Sequence, residues 1–264
     1  MNIFLRELKA NLKSLLIWSF IVVLFVTIGF SKFSAYYGNP ELLAVLNGMP
    51  PALLEAFNMN AFNLTTLSGF YGVMFAYFAL LVSIAAAMWG SDIISKEERD
   101  KTVEFALTLP ITRNRLVAAK TLAALVNCIA LALLAWGATA INASGYEPDR
   151  EFYQFLALGT LALFLMQLIF LAIGIFLGCA LKQHKRASSA AVAVLLGTYF
   201  ISIIAGLYKD MEFLKYLTPF QYFNPVVLLH ESKLELPFVG LSLAIMAVAL
   251  AGAFLTYNRR DLYI

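Results

Sequence analysis

An adjacent pair of carboxylates, Glu97 and Glu98, is the feature of this sequence best suited to chemistry. Paired carboxyl groups can pass protons at a reacting centre, and with a histidine they can activate water. The histidines do not supply that partner. His184 and His230 lie in separate polar stretches, and neither falls within an apolar segment. An intramembrane protease of the paired-glutamate kind needs its glutamates and a histidine at membrane depth, so that chemistry is disfavoured. No Cys, His, Asp and Glu cluster has the spacing of a metal site. Cys128 and Cys179 sit inside apolar runs and read as small buried hydrophobes, not as a disulfide framework. No G-x-x-x-x-G-K-[ST] stretch occurs, so the chain is not expected to hold ATP in a phosphate loop. It is therefore read as a non-enzyme that binds neither cofactor nor metal.

The glutamates belong to residues 91–120, the one long charged stretch of the chain. It holds six basic residues (Lys96, Arg99, Lys101, Arg113, Arg115, Lys120) and five acidic ones (Asp92, Glu97, Glu98, Asp100, Glu104). Everything around it is apolar. Of 264 residues, 61% are hydrophobic and 13% charged, about half the charge of a soluble domain. The mean hydropathy is +0.80, the value of an integral membrane protein. Within the stretch, Val103 and Leu107, and Phe105 and Leu109, recur at helical spacing. Pro110 ends that helix, because proline lacks the amide donor and disfavours helix at the preceding residue. Signs alternate, so the stretch is neither a polybasic lipid patch nor an acidic tail.

The segment KEERDKTVEFALTLPITRNRLVAAK resembles the signature loop of ABC-2-type transporter permeases. That family places a Glu-Glu pair, a Thr-x-Glu, a Leu-Pro-x-[ST]-Arg and a Lys in this order. The matching residues are Glu97, Glu98, Thr102, Glu104, Leu109, Pro110, Thr112, Arg113 and Lys120; Lys101 replaces a frequent Gly. Residues 46–57 resemble the family's first extracellular loop, and Asn258-Arg259-Arg260-Asp261-Leu262 its closing Arg-Asp-Leu. The resemblance runs from near residue 40 to the end. It implies a separate ATP-binding cassette subunit, two copies in the full transporter, carrying ATP and Mg. It also implies a second permease, identical or homologous, and export as the direction. Glu97, Glu98, Lys101, Thr102, Val103, Glu104, Phe105, Leu107, Pro110 and Arg113 would couple the chain to that subunit.

Six apolar segments must position this loop: about 15–30, 70–90, 121–141, 152–180, 187–208 and 236–257. Residues 1–13 are amphipathic and suit an interfacial helix. The expected architecture is a single all-α transmembrane permease domain with a coupling helix between spans 2 and 3. With both termini cytoplasmic, 14 basic residues lie inside and 5 outside, in a plasma membrane. Residues 31–68 and 209–235 are then external loops. The aromatics of the second, Phe213, Tyr216, Phe220, Tyr222 and Phe223, suit the membrane interface.

The spans so drawn carry no Asp, Glu, Lys or Arg, which argues against a proton-coupled carrier. Their polar residues, Gln167, Asn127, Thr198, Ser202 and Ser83, read as interhelical hydrogen bonds worth ~0.6 kcal/mol each. Gly174-x-x-x-Gly178 and Ala86-x-x-x-Gly90 allow close helix approach. Six spans with little polar surface enclose no wide path. A pair of permeases in lipid is expected, meeting or lining the path at Phe20, Phe25, Gly197, Tyr199 and Phe200. The substrate expected is a drug, peptide or lipid-like amphipath. The rivals are an ATP-independent carrier or channel and a membrane anchor that recruits a soluble partner. Nothing points to nucleic acid.

Overall fold

The computed structural model describes residues 3–39, 62–99, 112–181 and 183–259, with residues 41, 45, 48–50 and 54 between the first two blocks. These residues form no strand. Six helices are long and apolar enough to cross a membrane. They are α1 (Ile3–Tyr36), α2 (Leu67–Arg99), α3 (Arg113–Ala143), α4 (Arg150–Ala180), α5 (His184–Leu207) and α7 (Leu236–Arg259). A short α6 (Pro225–His230) and 3-10 turns at Lys209–Leu217 and Pro219–Gln221 lie between α5 and α7. The fold is all-α and integral to the membrane, as the composition implies.

Side-chain caps start two of the helices. The Thr112 hydroxyl accepts from the amide of Arg115 at the head of α3, and Asp149 accepts from Phe152 at 2.7 Å at the head of α4. Each satisfies an amide that has no partner within its own helix. The helices nevertheless outrun the apolar windows. Residues 3–13 do not form a separate interfacial helix but the first turns of α1, since no glycine or proline interrupts Lys13-Ser14-Leu15. Helix α2 continues to Arg99 and α3 begins at Arg113. Most of residues 91–120 is therefore the ends of two helices.

The centre of the bundle is α2 against α4. The two run parallel: Tyr71 meets Gly159, Ala87 meets Gly174, and Ser91 and Ile94 meet Gly178. A methyl on Gly174 would stand 2.5 Å from the Ala87 carbonyl oxygen, and one on Gly90 would fall on the Leu171 carbonyl oxygen. Backbone thus touches backbone, as the small-residue spacing predicts. Two thirds of the apolar window of α2 is buried, against 17% for α1, α5 and α7.

The end of the bundle away from residues 100–112 is aromatic. Phe33 stacks on Phe70 with centroids 4.6 Å apart, and Tyr146 lies 4.8 Å from Phe33. The stretch between α5 and α7 does not lie wholly at the surface. Tyr222 and Phe223 are fully buried, with Tyr222 stacked on Phe238 at 5.3 Å, while Phe213 and Tyr216 stay exposed. Thr218 and Gln221 donate to the carbonyls of Thr198 and Ser202, which pins the stretch to α5.

The expected polar glue between spans is not what forms. Thr198 and Ser202 donate to carbonyls of their own helix. Asn127 Nδ2, Ser83 Oγ and both amide atoms of Gln167 are buried without a hydrogen-bond partner among the described residues.

Candidate functional site

The charged end of the bundle gathers one end of every long helix. The sequence pattern made it a loop; the helices make it a packed junction. Glu97 and Glu98 fall in the last turn of α2. Lys101, Thr102, Val103, Glu104, Phe105, Leu107 and Pro110 lie outside the described residues, as does the coupling helix expected there.

Arg113 is described, and it faces its own chain. Its Nη1 donates to the carbonyls of Tyr257 and Asn258 at 3.2 and 3.3 Å, where α7 ends. The Asn258 amide donates to Asn114 Oδ1 at 2.6 Å. A guanidinium there satisfies carbonyls that have no partner within α7 and suits the negative end of the helix dipole. This geometry gives Arg113 a role in holding α3 to α7.

Beside it lies a buried ionic cluster that the sequence reading did not assemble. Glu7 of α1 and Lys120 of α3 are each 1% exposed. Glu7 pairs with Lys96 of α2 at 2.5 Å and with Lys120 at 3.3 Å, and Arg6 also reaches it at 3.2 Å. Lys120 donates in addition to the Ile93 carbonyl at 2.8 Å. The helices are therefore not free of buried charge once their true lengths are known. Leu116, Val117, Lys120, Ala123, Ala124 and Asn127 are all buried and share one face of α3 at helical spacing. That spacing was the signal that Lys120 points inward. Glu7 and Asn11 likewise extend the buried stripe Val22, Val26, Phe30, Phe33 of α1. Removing one partner from such a cluster leaves an uncompensated charge, typically at a cost of ~3–5 kcal/mol. About two turns further along, Trp89 donates to Ser14 Oγ at 2.9 Å, a second tie from α2 to α1.

The residues expected at a permease contact divide. Phe20 and Phe200 are 68% and 60% exposed, and a side chain on Gly197 would meet open space. Phe25 and Tyr199 instead pack inward, on Phe78 at 5.8 Å and Phe220 at 5.3 Å. Tyr199 and Phe220, with Phe62, Phe75, Gln221 and Asn224, line a cavity of about 170 Å³ at the aromatic end.

Residues 1–262 match a family described as ABC-2 family transporter protein. The chain belongs to the ABC-2 family of transporter proteins. The match takes in α1, which the resemblance from residue 40 onward left out. No curated protein matches the chain. As an ABC-2 family member it is a multi-pass membrane transport component, the permease of an ABC transporter, and membership implies an ATP-binding partner. For this ABC-2 permease, the junction of α1, α2, α3 and α7 frames residues 100–112.

Proposed function

We propose that the ABC-2 permease exports a hydrophobic or amphipathic substrate, driven by a separate ATP-binding subunit that docks on residues 97–111. The observation that carries this reading is the fixed junction at the charged end. Both helices flanking that segment are tied into the bundle, α2 through Lys96 and α3 through Lys120 and Arg113. Force applied to a segment so anchored passes into the spans as rigid-body motion rather than being lost in a slack loop. Glu97, Glu98, Lys101 and Glu104 supply charged contacts to the partner, and Val103, Phe105 and Leu107 the apolar anchor. An uncharged, aromatic-walled cavity at the opposite end fits an amphipathic substrate better than an ion.

Two permeases and two ATP-binding subunits make the working unit. The lightly buried faces of α1 and α5, with Phe20, Gly197 and Phe200, are the surfaces available for the second permease. A two-fold pair is the commonest closed arrangement for identical chains. Mass measurement of the tagged complex purified from native membranes tests this. The expected result is two permease chains with two ATPase chains. One permease with one ATPase, still active in transport, sinks the pair. A stoichiometric non-ATPase partner points to an anchor, and no partner to an independent carrier.

Both termini face the cytoplasm of a plasma-membrane protein, because 14 of 19 basic residues then lie inside. Single cysteines at Gln183 and Gly145 test this with an impermeant thiol reagent on intact cells, the native Cys128 and Cys179 being buried. Labelling is expected at Gly145 and not at Gln183; labelling of Gln183 from outside overturns the orientation.

A further inference from the structure

Glu7 bridges the two helices that flank residues 100–112. One carboxylate oxygen faces Lys96 at the end of α2, and the other faces Lys120 near the start of α3. Its own helix, α1, belongs to neither. Both lysines are held: Lys120 by the Ile93 carbonyl as well as by Glu7, and Lys96 with only 13% of its side chain exposed. A charged three-point contact of this kind fixes distances that apolar packing alone would let slide, since neither lysine can leave without stranding a charge. The Trp89–Ser14 bond prevents α1 from pivoting about that contact.

We propose that Glu7 is a positioning residue for energy coupling. It sets the separation of the α2 and α3 stems and makes α1 move with them, so that α1 is driven by the partner subunit without touching it. The inference rests on the reading that residues 97–111 receive the ATP-binding subunit. It adds that the stroke is delivered to three helices rather than two. The exposed flank of α1, with Phe20, then carries the motion to whatever lies against it.

Distances in the reconstituted complex test this, read between spin-label pairs with and without a non-hydrolysable ATP analogue. One pair joins Leu12 of α1 to Val248 of α7; the other joins Leu122 of α3 to Val248. All three positions are exposed. In the wild type both distances are expected to change on nucleotide binding. In Glu7→Gln the α3 change persists, while the α1 change falls by at least half; Glu7→Asp, which keeps the charge, recovers part of it. If Glu7→Gln does not assemble, the triple variant Glu7→Met, Lys96→Met, Lys120→Met removes the charges together and is expected to fold. It should show the same selective loss at α1. A purely structural role predicts no selective loss in a folded variant. Full α1 displacement in Glu7→Gln or the triple variant overturns the proposal. A wild type in which α3 responds and α1 does not overturns it alone. A wild type in which neither responds overturns the coupling reading and the proposal with it.

Discussion

Gly90→Val is expected to abolish correct packing of α2 on α4, a large stability effect from one residue outside the ionic cluster. At Gly90 the first added carbon already lands on the Leu171 carbonyl oxygen, with the Ile175 amide nitrogen 2.9 Å away. These are backbone atoms of a helix, so no rotamer change relieves the clash. Overpacking usually costs ~1–3 kcal/mol when side chains can yield. Here the helices must separate, which also loosens Gly174 against Ala87 and Gly178 against Ser91. A loss of roughly 3 kcal/mol or more follows, about a hundredfold in the folded-to-unfolded ratio. Gly137→Val is the control, since a side chain there meets nothing within 4 Å. Unfolding of purified protein in graded denaturing detergent measures both. A Gly90→Val midpoint equal to that of Gly137→Val would mean that α2 and α4 do not meet backbone to backbone.

Glu98→Arg and Glu104→Arg are expected to leave the permease folded and membrane-inserted yet disconnected from ATP hydrolysis. The motive is the resemblance of these two residues to the ABC-2 signature loop, which on the proposed reading faces the ATP-binding subunit. Reversing a charge in a desolvated interface pair costs ~2–5 kcal/mol of binding, so partner affinity should fall roughly thirtyfold or more. Co-purified ATPase and the substrate-stimulated rate should fall together. Permease yield and denaturation midpoint should stay at wild-type values, because both residues are expected to be solvated or at the partner interface. Arg113→Ala should do the reverse: it frees the end of α7 from α3 and lowers the midpoint, with partner binding less affected. Normal stimulated ATPase in both glutamate variants would remove residues 97–111 from the coupling route.

How much of this could be read in the sequence depends on what each signal measures. Hydropathy reports the length of chain facing lipid, and it found all six spanning helices. It is blind to helix that continues beyond the hydrocarbon, so it stopped α2 at Gly90 instead of Arg99 and began α3 at Thr121 instead of Arg113. That blindness hides the ionic cluster, because Lys96 and Lys120 fall outside the apolar windows. The small-residue spacings were legible because backbone contact tolerates few residue types, and Gly90, Gly174 and Gly178 do meet the partner helix. The aromatics of residues 213–223 were misjudged as a group. Composition cannot separate Phe213, which is exposed, from Tyr222, which is buried on Phe238, because only the 3-10 turns between them decide which way each ring points. Arg113 was legible only as part of a resemblance, and motif order says nothing of its hydrogen bonds to the end of α7.

The parallel course of α2 and α4 has an electrostatic side. Antiparallel neighbours cancel each other's dipoles; these two add. Each helix terminates at the charged end with roughly half a negative charge on its unpaired carbonyls, and protein around it screens that charge poorly. Lys96 lies in the closing turns of α2, and Lys120 is bonded to a carbonyl of the same helix. The lysines therefore serve as counter-charge near the end of α2 as well as partners for Glu7. Part of the basic excess that a topology count assigns to the membrane surface is, in this permease, neutralising its own backbone from within.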